Sequence, residues 1–367
     1  MTVKRLVVKV GTSTVTHDTG KLNLHRLEML VRQITDLTNA GIEVALVSSG
    51  AVGAGLGRLG WQRRPTTIPE KQAVAAVGQS LLMQIYEKLF AEYGVNIAQV
   101  LLTRADVADR RRHLNARTTL LTLLSYGVVP IINENDTVAV EELAFGDNDT
   151  LSALLAGLIS ADLLVILSDI DGLYTADPRT DPAAHLIARV EELTPELAAR
   201  AGGAGTPGGT GGMATKLSAA RIATSSGVSL VIANSNRPHV LREIVDGGEV
   251  GTLFPARERL VSRKRWIAFN VPPVGRLTVD EGAKRALTER GKSLLPSGLL
   301  AVEGDFSAGD AVAIAGPDRI EFARGLVNYD ARDLVRLKGL HSEEIRQLLG
   351  EHFYEEAVHR DNLVLLG

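Results

Sequence analysis

Short apolar runs alternate with amphipathic stretches from the start of the chain to about residue 255. Leu6–Val10 is a β-branched run that ends on Gly11-Thr12-Ser13. Leu27, Leu30, Val31, Ile34 and Leu37 then recur at helical spacing until Gly41 stops them. Ile42–Val47 reads as the next strand and ends on Ser48-Ser49-Gly50. The rhythm repeats: Val77, Leu81, Leu82, Ile85 and Leu89 predict a helix before Gly94, and Val95–Leu102 predicts a strand. A helix around Leu114–Ser125 leads to the strand Val128–Ile132, and one from about Asn148 to Ile159 leads to Leu163–Leu167. A last helix, Leu217–Ser226, precedes Val228–Ala233. Such alternation predicts an α/β fold, a mostly parallel sheet sandwiched by helices.

Beyond Pro255 the rhythm changes. Arg257–Arg265 is charged and reads as a linker. Gly275–Val279 and Ala311–Ala315, with the turn cluster Leu295-Pro296-Ser297-Gly298, predict a second, smaller β-rich domain. The expected division is a large domain over residues 1–256, a linker over 257–272, and a small domain over 273–367 with a C-terminal helical extension.

Bulk properties narrow the function. A chain of 367 residues with 45% hydrophobic positions buries a core and exceeds one ordinary domain. The net charge of −3 and the 4% aromatic content give no drive toward nucleic acid or anionic lipid. The absence of cysteine excludes disulfides and thiolate chemistry. Apolar runs of strand length do not span a bilayer. The first residues enter a strand with no secretory apolar region, so a cytoplasmic protein is expected.

Open α/β sheets bind ligands at the carboxyl ends of their strands. Lys9 sits inside an apolar strand, where an ammonium is costly unless an anion meets it. Ser49-Gly50-Ala51 lets a ligand approach the backbone, although a plain turn explains it equally well. Asn133-Glu134-Asn135-Asp136 puts four polar side chains at one strand end and suits a ligand bearing an amine or hydroxyl; an Asx-turn is the alternative. In Gly146-Asp147-Asn148-Asp149 the two carboxylates open a helix, where capping alone would favour them. Ser168-Asp169 follows another buried strand. The run Gly208-Gly209-Thr210-Gly211-Gly212-Met213-Ala214-Thr215-Lys216 joins unobstructed backbone N–H groups to a helix start and a lysine, a pattern that suits phosphate. It lacks the Gly-Lys-Ser/Thr of a P-loop. Gly55-Leu56-Gly57-Arg58-Leu59-Gly60 fits G-x-G-x-x-G, but Pro65 and Pro69 stand where a dinucleotide fold needs a helix. The histidines offer no metal-binding pair, and no protein metal ligand is assigned.

Taken together, Lys9-Val10-Gly11-Thr12-Ser13, Ser49-Gly50-Ala51, Asn133–Asp136, Gly146–Asp149, Asp177-Pro178-Arg179 and Gly211–Lys216 resemble the amino-acid kinase superfamily. Within it the chain is similar to the bacterial kinases that act on the γ-carboxylate of L-glutamate. Thr278–Ala283 and Ser293–Pro296 resemble the PUA domain those longer enzymes carry. The resemblance implies transfer of the γ-phosphoryl of ATP, with Mg²⁺, to give γ-glutamyl phosphate, the first step toward proline. It implies Lys9, Lys216 and Asp149 in catalysis, and Ser49, Asn133, Asp136 and Asn148 around glutamate. Lys9, Gly11, Ser168, Asp169, Thr210, Gly211, Gly212, Met213, Ala214, Thr215 and Lys216 would hold the nucleotide. It further implies inhibition by proline, a homodimer or homotetramer, and hand-off of the labile product to glutamyl phosphate reductase. Kinases for N-acetylglutamate, aspartate or UMP are the alternatives within the superfamily, and Asp136 favours an acceptor with a free amine. RNA binding through the PUA-like domain is the alternative from another class. Residues 265–367 carry thirteen Lys/Arg against sixteen Asp/Glu, 13 − 16 = −3, which disfavours it.

Overall fold

The computed structural model describes residues 2–17, 19–61, 63–139, 147–178, 180–194, 197, 212–256, 271–349 and 355–366. The chain forms two compact units, Met1–Arg259 and Leu260–Gly367.

The first unit is built on strands β1 (Arg5–Val10), β2 (Glu43–Ser48), β3 (Ile97–Leu102), β4 (Val129–Glu134), β5 (Leu163–Ser168), β6 (Ser229–Asn234) and β7 (Thr252–Phe254). They lie in the order β3-β4-β2-β1-β5-β6-β7, all parallel except β7. Every residue of β5 is buried, as are the last five of β1 and of β2, so this sheet is covered on both faces. The helices are α1 (Thr12–Val15), α2 (Leu24–Asn39), α3 (Ala51–Leu59), α4 (Ile68–Ala91), α5 (Arg104–Ala108), α6 (Arg110–Ser125), α7 (Asn148–Leu158), α8 (Met213–Ser225) and α9 (Val240–Val245). The apolar stripe of α2 joins Leu6, Val8, Leu46 and Ile131 in one core.

Several elements start elsewhere than the hydrophobic pattern predicts, and the reasons are local. Thr67 caps α4 and Pro69 falls in its first turn, where a missing N–H costs nothing, so the helix starts well before Val77. Asp109 caps α6 by accepting from Arg112 N at 2.8 Å, which moves its start back from Leu114 to Arg110. Helix α8 begins at Met213 rather than Leu217, so Ala214, Thr215 and Lys216 form its first turn. It is not the last helix, since α9 and the antiparallel β7 follow.

The strand starts are displaced by one repeated device. Gly41, Gly94, Gly127 and Gly227 all have positive φ. The N–H of the next residue then returns to a carbonyl of the helix just ended: Ile42 to Leu37, Val95 to Phe90, Val128 to Leu123 and Val228 to Ala223. This is a Schellman stop, and it claims an apolar residue that the alternation had assigned to the strand. Helix α7 ends the same way, Ala161 N bonding Ala156 O at 2.9 Å, but there Ser160 takes the left-handed conformation with φ 57°.

Gly55 and Gly57 of the G-x-G-x-x-G match have a packing role. A helix, α3, does occupy this region, contrary to the expectation from Pro65 and Pro69. A Cβ at Gly55 would run into the Val74 carbonyl, one at Gly78 into the Ala51 carbonyl, and one at Gly57 into Gly20. Helices α3 and α4 therefore meet backbone to backbone.

The second unit holds β8 (Gly275–Val279), β9 (Leu299–Gly304), β10 (Ala311–Ala315), β11 (Glu321–Leu326) and β12 (Leu363–Leu365) in the order β12-β11-β10-β8-β9. Only the β8–β10 pair is parallel. Leu277, Val279, Leu287, Leu294, Ile314 and Leu334 form its core.

Candidate active site

The carboxyl ends of β1, β2, β4 and β5 bring the predicted residues to one edge of the sheet. Asp149 lies in the first turn of α7, which Asp147 caps by accepting from Thr150 N at 2.8 Å. Its carboxylate is fully buried between two ammonium groups. Lys9 Nζ is 2.6 Å from Oδ1 and Lys216 Nζ is 3.2 Å from Oδ2. Thr215 Oγ1 also donates to Oδ2, at 2.9 Å. Burial works against the charged carboxylate, but the two lysines and the Thr215 hydroxyl outweigh it and hold Asp149 below the usual carboxylate range. Both lysines are 6% exposed. Two cations against one anion leave one positive charge uncompensated within this group, in a place where charge is poorly screened.

The backbone beside these lysines is bare. A Cβ on Gly11 would sit 3.7 Å from Lys9 Nζ. Gly50 has φ 104° and starts α3 without a side-chain cap; a Cβ there would meet Val15. At Gly50 the Val15 side chain would need to shift for even a methyl group to enter.

A cavity of about 300 Å³ opens next to this edge, lined by Thr12, Ser49, Gly50, Asn133, Asp136 and Asn148, with Arg64 and Lys71 on its walls. Asn148 Nδ2 donates to Ser49 Oγ and to Asn133 Oδ1, both at 2.9 Å. Asn133 Oδ1 also accepts from Glu134 N, and Asn133 Nδ2 donates to Gln79 Oε1 at 2.9 Å. Burial pushes Asp136 above the usual carboxylate range, with Lys71 opposing. Burial also pushes Asp147 up, its bond from Thr150 N opposing and the Asp149 charge adding to the rise.

Ser168 ends β5 and Asp169 follows it, Ser168 Oγ donating to Asp169 Oδ1 at 3.1 Å. Close in sequence, Asp171 accepts from Tyr174 OH and from Asn234 Nδ2, at 3.0 and 2.8 Å. Gly212 precedes α8 with no side-chain cap, so the first N–H groups of the helix have none from that side chain. Thr210, Gly211, Gly146 and Arg179 lie outside the described residues.

The structure thus joins Lys9, Asp149, Thr215 and Lys216 in one cluster and Ser49, Asn133, Asp136 and Asn148 around one cavity. Gln79, Arg64 and Lys71 escaped the sequence reading. Lys71 and Gln79 sit in a helix that was read only from its apolar stripe, Val77 to Leu89. The pairing of Thr215 with Asp149 was equally hidden, because the run was read as loop up to Lys216.

Residues 4–234 match the amino acid kinase family and residues 275–349 match the PUA domain. A glutamate 5-kinase of Moorella thermoacetica is 57% identical over 99% of this chain and 97% of its own length. One from Carboxydothermus hydrogenoformans is 54% identical over 99% of this chain and 98% of its own. Among solved structures, a UMP kinase from Bacillus anthracis aligns with a TM-score of 0.49 at 19% identity, covering 70% of this chain and 98% of that one.

Proposed function

The chain belongs to the amino acid kinase family, in its glutamate 5-kinase branch, and on that footing we propose how its site works: ATP phosphorylates the γ-carboxylate of L-glutamate, giving γ-glutamyl phosphate on the way to proline. The observation that carries this reading is the Lys9–Asp149–Lys216 cluster, whose surplus positive charge faces the glycine-edged ends of β1 and β2.

The acceptor carboxylate has a reference pKa of about 4.3, so it is an anionic nucleophile at pH 7 and needs no general base. What the site must supply is alignment and neutralisation of the charge spread over the transferred phosphoryl group. Lys9, on the acceptor side, and Lys216, on the nucleotide side, provide the charge. Asp149 holds both ammonium groups in place and aims them. Gly11, Thr12 and Gly50 offer backbone N–H groups to the phosphoryl oxygens. Asp136 takes the α-ammonium of glutamate, and Ser49, Asn133 and Asn148 take the rest of its head group. Ser168, Asp169 and the run Thr210–Lys216 hold ATP, the latter through the start of α8. Mg²⁺ would be held by the β- and γ-phosphate oxygens and would neutralise them; among the described residues no three His, Cys, Asp or Glu side chains are grouped to take an ion.

Proline shares its α-amino-acid head with glutamate, which supports feedback inhibition around Asp136 and Asn148. A cytoplasmic homodimer or homotetramer that passes its labile product to a reductase completes the reading. Among the described residues no helix is long and apolar enough to cross a membrane. ATP-dependent acyl phosphate, trapped with hydroxylamine, tests the reading: hydroxamate forms with L-glutamate and not with N-acetylglutamate or aspartate, UMP yields no UDP, and proline suppresses the glutamate reaction. Product with another acceptor alone would discard the substrate and keep the family.

A further inference from the structure

We propose that Gln79, on α4 and outside the cavity wall, is a positioning residue that anchors Asn133 and, through it, the Asn148–Ser49 pair of the acceptor cavity. The proposal rests on the glutamate reading above and extends it to a residue that does not touch the substrate.

The argument follows the protons. Asn133 is 4% exposed, so its amide needs partners on both ends. Gln79 Oε1 can only accept, and it takes Asn133 Nδ2 at 2.9 Å. With Nδ2 anchored there, Asn133 Oδ1 accepts from Glu134 N and Asn148 Nδ2 on its other side. Asn148 has two amide protons, and the close contacts spend them on Asn133 Oδ1 and Ser49 Oγ. Two consequences reach the cavity that Ser49 and Asn148 line. Asn148 keeps Oδ1 as a free acceptor. Ser49, already accepting from Asn148, keeps its O–H to donate. A zwitterionic amino-acid head needs this complement: a donor for a carboxylate and an acceptor for an ammonium.

Without an acceptor at position 79, Asn133 Nδ2 is left unpaired in a buried place, and the side chain shifts toward another acceptor, which weakens its hold on Asn148. Asn148, and the Ser49 hydroxyl it donates to, then lose their fixed direction in the cavity. One lost hydrogen bond of this kind is worth about a tenfold change in affinity.

Steady-state kinetics with the hydroxylamine trap decides the matter. In Gln79→Met the KM for L-glutamate rises about tenfold, while kcat and the KM for ATP stay within about twofold. Gln79→Glu, which keeps the acceptor, stays within about threefold of the unaltered enzyme. In an Asn133→Ala background Gln79→Met adds nothing, because the relay is already cut. Thermal melts accompany each variant, and Gln79→Ala replaces Gln79→Met should the latter fail to fold. An unchanged glutamate KM, an equal rise for ATP, equal losses in the Met and Glu variants, or full additivity with Asn133→Ala would each overturn the proposal. If the unaltered enzyme makes no glutamyl hydroxamate, the glutamate reading falls instead, and the same KM comparison is made on the acceptor it does use.

Discussion

Lys9 and Asp149 meet at 2.6 Å, a strand interior paired with the first turn of a helix from a distant part of the chain. Neither residue is tolerable alone. A buried ammonium in β1 and a fully buried carboxylate in α7 each cost several kcal/mol without a partner. Their contact, shared with Lys216, turns two liabilities into an anion-binding edge.

Asp149→Asn leaves both lysines without their counter-charge. We expect a loss of about 3–5 kcal/mol of stability, as for removal of one member of a buried pair, and a fall in turnover of at least about a hundredfold. Denaturant titration and the hydroxamate assay measure the two separately.

Lys216→Ala removes charge from the nucleotide side while Lys9 stays paired with Asp149. Turnover falls by about two to three orders of magnitude, as for other donors aimed at developing charge, and glutamate binding persists. Calorimetric titration with glutamate beside single-turnover kinetics checks it; unchanged turnover would remove Lys216 from the chemistry.

The acid limb has two parts with opposite signs. Asp149 is held below its ordinary value, so its contribution to stability is present above the unfolded pKa and is lost as pH falls through the lower folded one. Asp136 is raised, so the fold gains relative stability from it on acidification, between the raised folded pKa and the ordinary one. Its charge, and with it the hold on an α-ammonium, is lost over that same interval. The KM for glutamate therefore begins to climb at a pH above the ordinary Asp value of about 3.9, while the protein remains folded. Parallel KM and melting curves against pH test this, and Asp136→Asn should flatten the KM limb.

Ser160→Gly relieves a left-handed residue at the end of α7. The gain is about 1 kcal/mol, read as a higher melting temperature with unchanged activity.

Gly78→Ala sets a methyl group against the carbonyl of Ala51. Both atoms belong to helix backbones, so no side chain can give way, and a loss of about 3 kcal/mol or more is expected. The melting temperature and the yield of folded protein report it.

The alternating pattern was enough to read the α/β architecture and the residues at the strand ends, because burial of β1, β2 and β5 leaves long apolar runs that polar residues interrupt only where the site begins. It failed at the strand starts for one reason. Ile42, Val95, Val128 and Val228 are apolar on behalf of a helix stop, and periodicity cannot tell that use from a strand residue. The G-x-G-x-x-G match was set aside as a dinucleotide site, but Pro65 and Pro69 do not keep a helix from the region, and its Gly55 serves a helix contact. Gln79 was out of reach of pattern altogether, since only the tertiary meeting of α4 with β4 shows what its amide does.

That helix contact has an evolutionary consequence. The floor of the acceptor cavity, Gly50 and Ala51, rides on a helix welded to its neighbour through main-chain atoms. Variation there has few neutral steps, whereas Arg64 and Lys71 line the same cavity from exposed positions and can be exchanged one at a time, so new acceptor preferences arise more readily from them.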